Sequence, residues 1–270
     1  MTPHQHLLCQ FLVQQYCSKG ALDSASTNGG TPLIRASEAG HMECVQVLLD
    51  RGAIVDMQSM CFFDIGGIQD GWTALMRASQ AGHMECVQLL LDKDADVNMQ
   101  RKDGWTALMR ASQAGHMECV QVLLDKGANV NMQREDGWTA LMMASQAEHM
   151  ECVQVLLDKS ADVNMQSKDG LTALMRALVA GHMECVQVLL HKGADVNMQR
   201  KDGWTALMRA SQAGHMECVL MLLNKSADVN MQSEDGWTAL MMASAAGHME
   251  CVQVLLDQGA DVNMQSESPQ

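Results

Sequence analysis

Phenylalanine, tyrosine and proline are nearly missing from this chain: three, one and three of its 270 residues. Ordinary core-building did not set such a composition. No apolar run approaches the roughly 18–20 residues of a membrane-spanning helix, which excludes insertion by that route. The start, Met1 to Gln15, has no basic residue ahead of its short apolar stretch, so a signal peptide is not expected. Positive charge is scarce as well. Against 32 acidic residues stand 18 lysines and arginines, a formal charge of −14. A broad phosphate-binding surface needs basic side chains for counterion release, so nucleic acid is excluded as a partner. With 47% hydrophobic and 19% charged residues the chain is too apolar for disorder, and the expectation is a soluble folded protein.

What is abundant is cysteine, ten residues, and methionine, twenty-five. In a short secreted chain ten cysteines would suggest a disulfide framework. Their spacing gives another reason. Asp-Gly begins at Asp70, Asp103, Asp136, Asp169, Asp202 and Asp235, a constant step of 33 residues, and Asn28-Gly29 opens an earlier copy. These seven units run 28–69, 70–102, 103–135, 136–168, 169–201, 202–234 and 235–267. A degenerate capping half-repeat, 1–27, precedes them, and a tail, 268–270, follows. The cysteine and methionine counts are therefore one unit's choices, copied.

The unit 103–135 shows how each should fold. Asp103-Gly104 is a turn signal, because glycine supplies the positive φ of tight turns, and it marks a hairpin tip. Thr106 is placed to cap a short inner helix over Ala107 to Ala114. Gly115 ends that helix in a left-handed cap. Glu118 to Lys126 forms a second, outer helix with Val120, Leu123 and Leu124 on one face, closed by Gly127. Two short helices and a hairpin cannot bury their apolar faces alone, so each unit needs neighbours. The expected architecture is an all-α repeat solenoid with β-hairpin loops.

Gly-x-Thr-x-Leu, then Ala-x-x-x-Gly-His-x-Glu-x-Val, then Leu-Leu-x-x-Gly-Ala-x-Val-Asn resembles the ankyrin repeat, over about nine tenths of the chain, Asn28 to Glu267. The resemblance implies L-shaped stacked units whose hairpins and inner helices make a concave surface that binds other proteins. The family's Thr-Pro-Leu-His reads Thr-Ala-Leu-Met here, except at Thr31-Pro32-Leu33-Ile34. Losing proline at the first helical turn should cost a little preorganisation.

The copies are not identical. Nine extra residues, 60–68, hold two of the three phenylalanines; they read as a contact element, a loop folded back on the array, or a scar in the coding sequence. Glu148 replaces the glycine that caps the fourth inner helix, which predicts strain of about 1 kcal/mol. Leu171 stands where other units have tryptophan, and Leu178-Val179 replaces Ser-Gln. The last outer helix keeps Val252, Leu255 and Leu256 with no polar replacement, which suits a segment of a longer array or an end covered by another surface.

His-Met-Glu-Cys recurs in every unit, from His41 to His248. Neighbouring units lie about 10 Å apart, too far for four zinc ligands to converge or for disulfides between copies. The histidines should satisfy backbone groups at the turn between helices, and the cysteines should be buried and reduced. That points to cytoplasm or nucleus. No metal or cofactor site and no catalytic residue is expected. An enzyme's site needs an exceptional constellation, whereas this chain repeats common ones.

Trp72, Trp105, Trp138, Trp204 and Trp237 follow Asp-Gly and account for every tryptophan. They read either as interface anchors or as rings that pack on neighbouring hairpins. Arg77, Arg110, Arg176 and Arg209 lie in inner helices, and Arg101, Arg134 and Arg200 near hairpins. These arginines either face a partner or pair with acids of adjacent units. The candidate binding residues are these tryptophans, Arg77, Arg110, Arg176, Arg209, Leu171 and Val179. The expected role is a monomeric, non-catalytic scaffold or adaptor that binds a protein through an acidic or mixed-charge segment. The alternative is a spacer or regulatory segment of a larger protein. The resemblance also marks Asn98, Asn131, Asn164, Asn197, Asn230 and Asn263 for enzymatic hydroxylation.

Overall fold

Each inner helix starts at a threonine whose hydroxyl accepts an amide three residues on, as where Met109 N donates to Thr106 Oγ1 at 3.2 Å. In a computed structural model, residues 30–59 and 71–266 are described. The half-repeat, the 60–68 insertion and the tail lie outside them. The chain forms two compact units, Met1–Glu135 and Asp136–Gln270. The first contains α1 (Pro32–Glu38), α2 (Met42–Asp50), α3 (Ala74–Ala81), α4 (Met84–Asp92), α5 (Ala107–Ala114) and α6 (Met117–Asp125). The second contains α7 (Ala140–Gln146), α8 (Met150–Asp158), α9 (Ala173–Ala180), α10 (Met183–His191), α11 (Ala206–Ala213), α12 (Met216–Asn224), α13 (Ala239–Ala246) and α14 (Met249–Asp257).

Within each unit inner helices pack on inner helices, outer on outer, and each inner helix on its own outer one. The result is an all-α repeat solenoid. The copied Cys, Val and Leu of the outer helices form the seam, with Cys119, Val120 and Leu123 all buried. On the last helix Leu256 and Met249 remain exposed. No strand occurs among the described residues. The hairpins are tight turns, as where Arg101 N donates to Trp105 O at 2.9 Å and Gly104 N to Arg101 O at 2.9 Å.

Successive tips are joined by backbone. Glu135 N donates to Asp103 O at 3.1 Å, and Glu234 N to Asp202 O at 3.0 Å. The tip glycines therefore serve a second purpose beyond positive φ. They allow one tip to lie against the next.

The histidines reach further than their own turn. His83 Nε2 donates to Glu38 O at 3.2 Å, His116 to Gln80 O at 3.1 Å, and His248 to Gln212 O at 3.1 Å. Each satisfies a carbonyl in the last turn of the preceding inner helix, which has no intrahelical partner of its own. The imidazole leans over the preceding cap glycine: a Cβ on Gly82 would lie 2.6 Å from His116. Replacing His116 with Ala is expected to cost about 0.5–1.5 kcal/mol, the net worth of one exposed hydrogen bond, read as a lower urea midpoint.

Glu148 sits at φ +62°, the left-handed conformation expected of it. His182 there bonds Gln146 O at 2.9 Å and brings Nδ1 within 3.2 Å of Glu148 Oε2. That exposed pair offsets little of the strain. Glu148→Gly is therefore expected to raise stability by about 1 kcal/mol; an unchanged melting temperature would refute this. Asp94, Ser160 and Ser226 are also held at positive φ, where Gly127 and Gly193 stand in other copies.

Candidate functional site

The tryptophan that follows each Asp-Gly lies at the foot of the hairpin, where its neighbours are arginines. In the first unit Arg77 lies 3.8 Å above the Trp72 ring, Arg101 at 4.8 Å and Arg110 at 4.3 Å. Arg110 is also 3.5 Å from the Trp105 ring, and Arg134 is 4.5 Å from it. One guanidinium is thus sandwiched between two indoles. In the second unit Arg176 covers Trp138 at 3.8 Å and Arg209 covers Trp204 at 4.2 Å. Trp237 has no such partner among the described residues. Each stack is a cation–π contact, worth about 0.5–2 kcal/mol depending on desolvation.

The rings are accordingly sheltered. Trp72 and Trp105 are buried, whereas Trp138, Trp204 and Trp237 are half-buried. Leu171 takes the tryptophan place in the fifth copy and is buried, as is Leu178. Val179, beside it, is 62% exposed and offers its side chain to solvent.

Electrostatics separates the arginines. Arg77 pairs with Glu38 at 3.2 Å, Arg101 with Asp103 at 3.1 Å and Arg200 with Asp202 at 3.1 Å. Arg110, Arg176 and Arg209 have no carboxylate within ion-pair distance among the described residues. Arg110 and Arg209 reach only the glutamine three residues on, at 3.4 and 3.3 Å. Burial, then the neighbouring charge of Arg101, pushes the Arg110 guanidinium down to about 9. It is a cation short of both water and counter-charge. The spacing of five residues from Trp105 to Arg110, and of 38 from Trp72 to Arg110, carries this stack, but the sequence gives no hint that those positions meet in space.

The outer surface works differently. Its acids are partnered by lysines of the next copy: Lys93 with Asp50 at 2.8 Å, Lys126 with Asp92 at 2.7 Å and Lys192 with Asp158 at 2.8 Å. Lysine and then the local glutamine hold these aspartates below their ordinary range.

The asparagines clasp adjacent copies. Asn197 Nδ2 donates to Ser226 O at 3.2 Å while its Oδ1 accepts from Asp228 N at 2.8 Å. Asn98, Asn164 and Asn230 repeat the pattern. The backbone amides of Asn131 and Asn263 bond the residue two before each. Asn197→Ala is expected to destabilise by about 1–3 kcal/mol, since two backbone groups lose their partner. A thermal midpoint equal to the parent's would overturn that role.

The thiols are packed rather than exposed. Cys86, Cys119, Cys152, Cys185, Cys218 and Cys251 are buried and outside any disulfide. Burial pushes Cys86, Cys152, Cys185 and Cys218 up to about 11. Cys185 donates to Met150 Sδ at 3.0 Å and Cys218 to Met183 Sδ at 3.1 Å. Cys44 departs from the expectation of reduced thiols, being disulfide-bonded. Among the described residues no group of three His, Cys, Asp or Glu is gathered to hold a metal, and no helix is long and apolar enough to cross a membrane.

Comparison with known proteins agrees with this architecture. The family model for ankyrin repeats in three copies matches residues 57–134, 126–200 and 193–266, and the single ankyrin-repeat model matches 28–60. No curated protein matches the chain. The crystal structure of the human ASB11 ankyrin repeat domain is similar, with a TM-score of 0.72 and 26% identity, over 86% of this chain and 99% of that one. Period, capped helix pairs, tip-to-tip turns and family models converge: the chain belongs to the ankyrin repeat family.

Proposed function

We infer that the chain is a non-catalytic scaffold or adaptor that binds a protein partner on its hairpin and inner-helix face, through an acidic or mixed-charge segment of that partner. Ankyrin repeats are generally protein–protein interaction modules. The observation that carries the finer reading is Arg110, held 4.3 Å from the Trp72 ring and 3.5 Å from the Trp105 ring with no ion-pair carboxylate among the described residues. A stacked guanidinium keeps its planar donor fork for a carboxylate, which is the geometry of charge-assisted recognition. A partner's acid would meet a cation whose desolvation and ordering have already taken place. In the second unit the corresponding positions are Trp138, Leu171, Arg176, Val179, Trp204, Arg209 and Trp237, and the same role is proposed for them. The six buried thiols outside any disulfide suit a reducing compartment, cytoplasm or nucleus, and the Cys44 disulfide counts against it. Exposed Met249 and Leu256 favour the second reading, a spacer or regulatory segment of a larger protein.

The test is titration of the full chain with a glutamate-rich peptide at rising salt. Affinity is expected to fall steeply with ionic strength. Salt-independent binding, or none at low salt, would reject the acidic-partner reading.

A further inference from the structure

The five tryptophans differ in how many arginines surround them: three at Trp72, two at Trp105, one each at Trp138 and Trp204, and none among the described residues at Trp237. The interval between the last two rings is open. A cleft of about 400 Å³ is lined there by Trp204, Gln212, Ser233, Asp235, Trp237 and Met242, with Ala245 beside them. Four units earlier the same positions are Trp72, Gln80, Arg101, Asp103, Trp105 and Arg110, with Gln113 for Ala245. The two arginines that occupy the earlier interval are thus a serine and a methionine in the later one.

The substitutions remove two cations and keep what those cations bind. In the earlier interval Arg110 lies 4.3 and 3.5 Å from the two rings, so successive indoles stand one guanidinium apart. Asp103 there is paired with Arg101 at 3.1 Å. Its counterpart Asp235 has no ion pair among the described residues, because Ser233 stands where Arg101 did. Ser233 keeps only the turn: its Oγ accepts from Trp237 N at 3.0 Å. The cleft therefore retains an aromatic face and a carboxylate, and one guanidinium could satisfy both.

We propose that the cleft between Trp204 and Trp237 is a binding site for an arginine side chain of a partner protein, stacked on Trp237 and paired with Asp235. The chain itself shows which chemistry fits, since it places arginine in the equivalent interval of its own first unit. A planar guanidinium suits a slot between flat rings and meets a carboxylate through two parallel donors, whereas an ammonium does neither. This site is opposite in charge to the stacked arginines assigned to an acidic segment and shares Trp204 and Trp237 with the positions named there, so its arginine-peptide test is read separately from the glutamate-peptide titration.

The test follows the five indole N–H signals of the full chain by NMR, assigned with single Trp→Phe variants. The probe is an acetylated, amidated Gly-Ser-Arg-Ser-Gly peptide, with lysine and citrulline analogues. The arginine peptide is expected to shift the Trp204 and Trp237 signals, saturating in the millimolar range, while citrulline leaves them in place. Asp235→Asn should weaken this binding about tenfold, the loss of one charge-assisted bond. Ser233→Arg with Met242→Arg should abolish it by filling the cleft from within, provided circular dichroism shows the helices intact; Asp235→Asn decides the matter if they are not. Equal shifts with citrulline or lysine, or full binding by Asp235→Asn, would overturn the proposal.

Discussion

Gly203→Ala is expected to lower stability by about 3–5 kcal/mol, the sum of left-handed strain, overpacking and a lost backbone hydrogen bond. The residue sits at φ +77°, and a Cβ there would lie 2.6 Å from Glu234 N and 2.8 Å from Ser233 Cα. Those are backbone atoms that cannot turn aside. They also form the tip-to-tip bond from Glu234 N to Asp202 O at 3.0 Å. Gly193 supplies the control: its φ is +88°, yet nothing lies within 4 Å of its would-be Cβ. Gly193→Ala should cost only about 1 kcal/mol. Urea midpoints of both variants measure the difference. Equal losses would mean that φ alone matters and that the tips do not bear on one another.

Trp105→Ala is expected to cost about 3–5 kcal/mol, as for other buried aromatics reduced to alanine. Its ring is 7% exposed and lies against Arg110 and Arg134. Trp237→Ala should cost less, about 1–2 kcal/mol, because that ring is half-buried and carries no arginine. A buried ring with stacked arginines is chiefly a platform for them. On the proposed reading a partner would meet the first unit's tryptophans through their arginines, whereas Trp237 would offer its own face. Should Trp105→Ala leave the thermal midpoint within a degree of the parent, this division of roles would be wrong.

Much of the fold was legible because its causes are local. The threonine caps, the left-handed glycines and the apolar face of each outer helix act within one copy, and the period multiplied them. Glu148 was legible for the same reason. Asp94, Ser160 and Ser226 carry the same signal, since they stand where Gly127 and Gly193 do in other copies. What the sequence does not disclose is contact between copies. Nothing in His116 says that its imidazole reaches Gln80 O, nor in Asn197 that its amide closes on Ser226 and Asp228. The arginine–tryptophan stack is the strongest case. Residues 38 apart meet only because the helix pitch and the tip turn bring Arg110 beside Trp72. Unequal arginine coverage of the tryptophans becomes visible only after that.

On the proposed reading, Arg110, stacked between two indoles of the first unit, serves recognition rather than folding. Methionine is the fitting replacement, because the chain itself places Met143 and Met242 where Arg110 stands in its unit. The direct measurement is Arg110→Met in the full chain, reading both the thermal midpoint and the affinity for a glutamate-rich peptide. Removing this desolvated cation should leave the midpoint unchanged or raise it, since apolar replacement of poorly compensated buried charge is often stabilising. Affinity should fall at least about tenfold, with a shallower salt dependence, for the loss of charge-assisted bonds. A midpoint that falls while affinity and salt dependence hold would contradict the claim and return this arginine to a purely structural part.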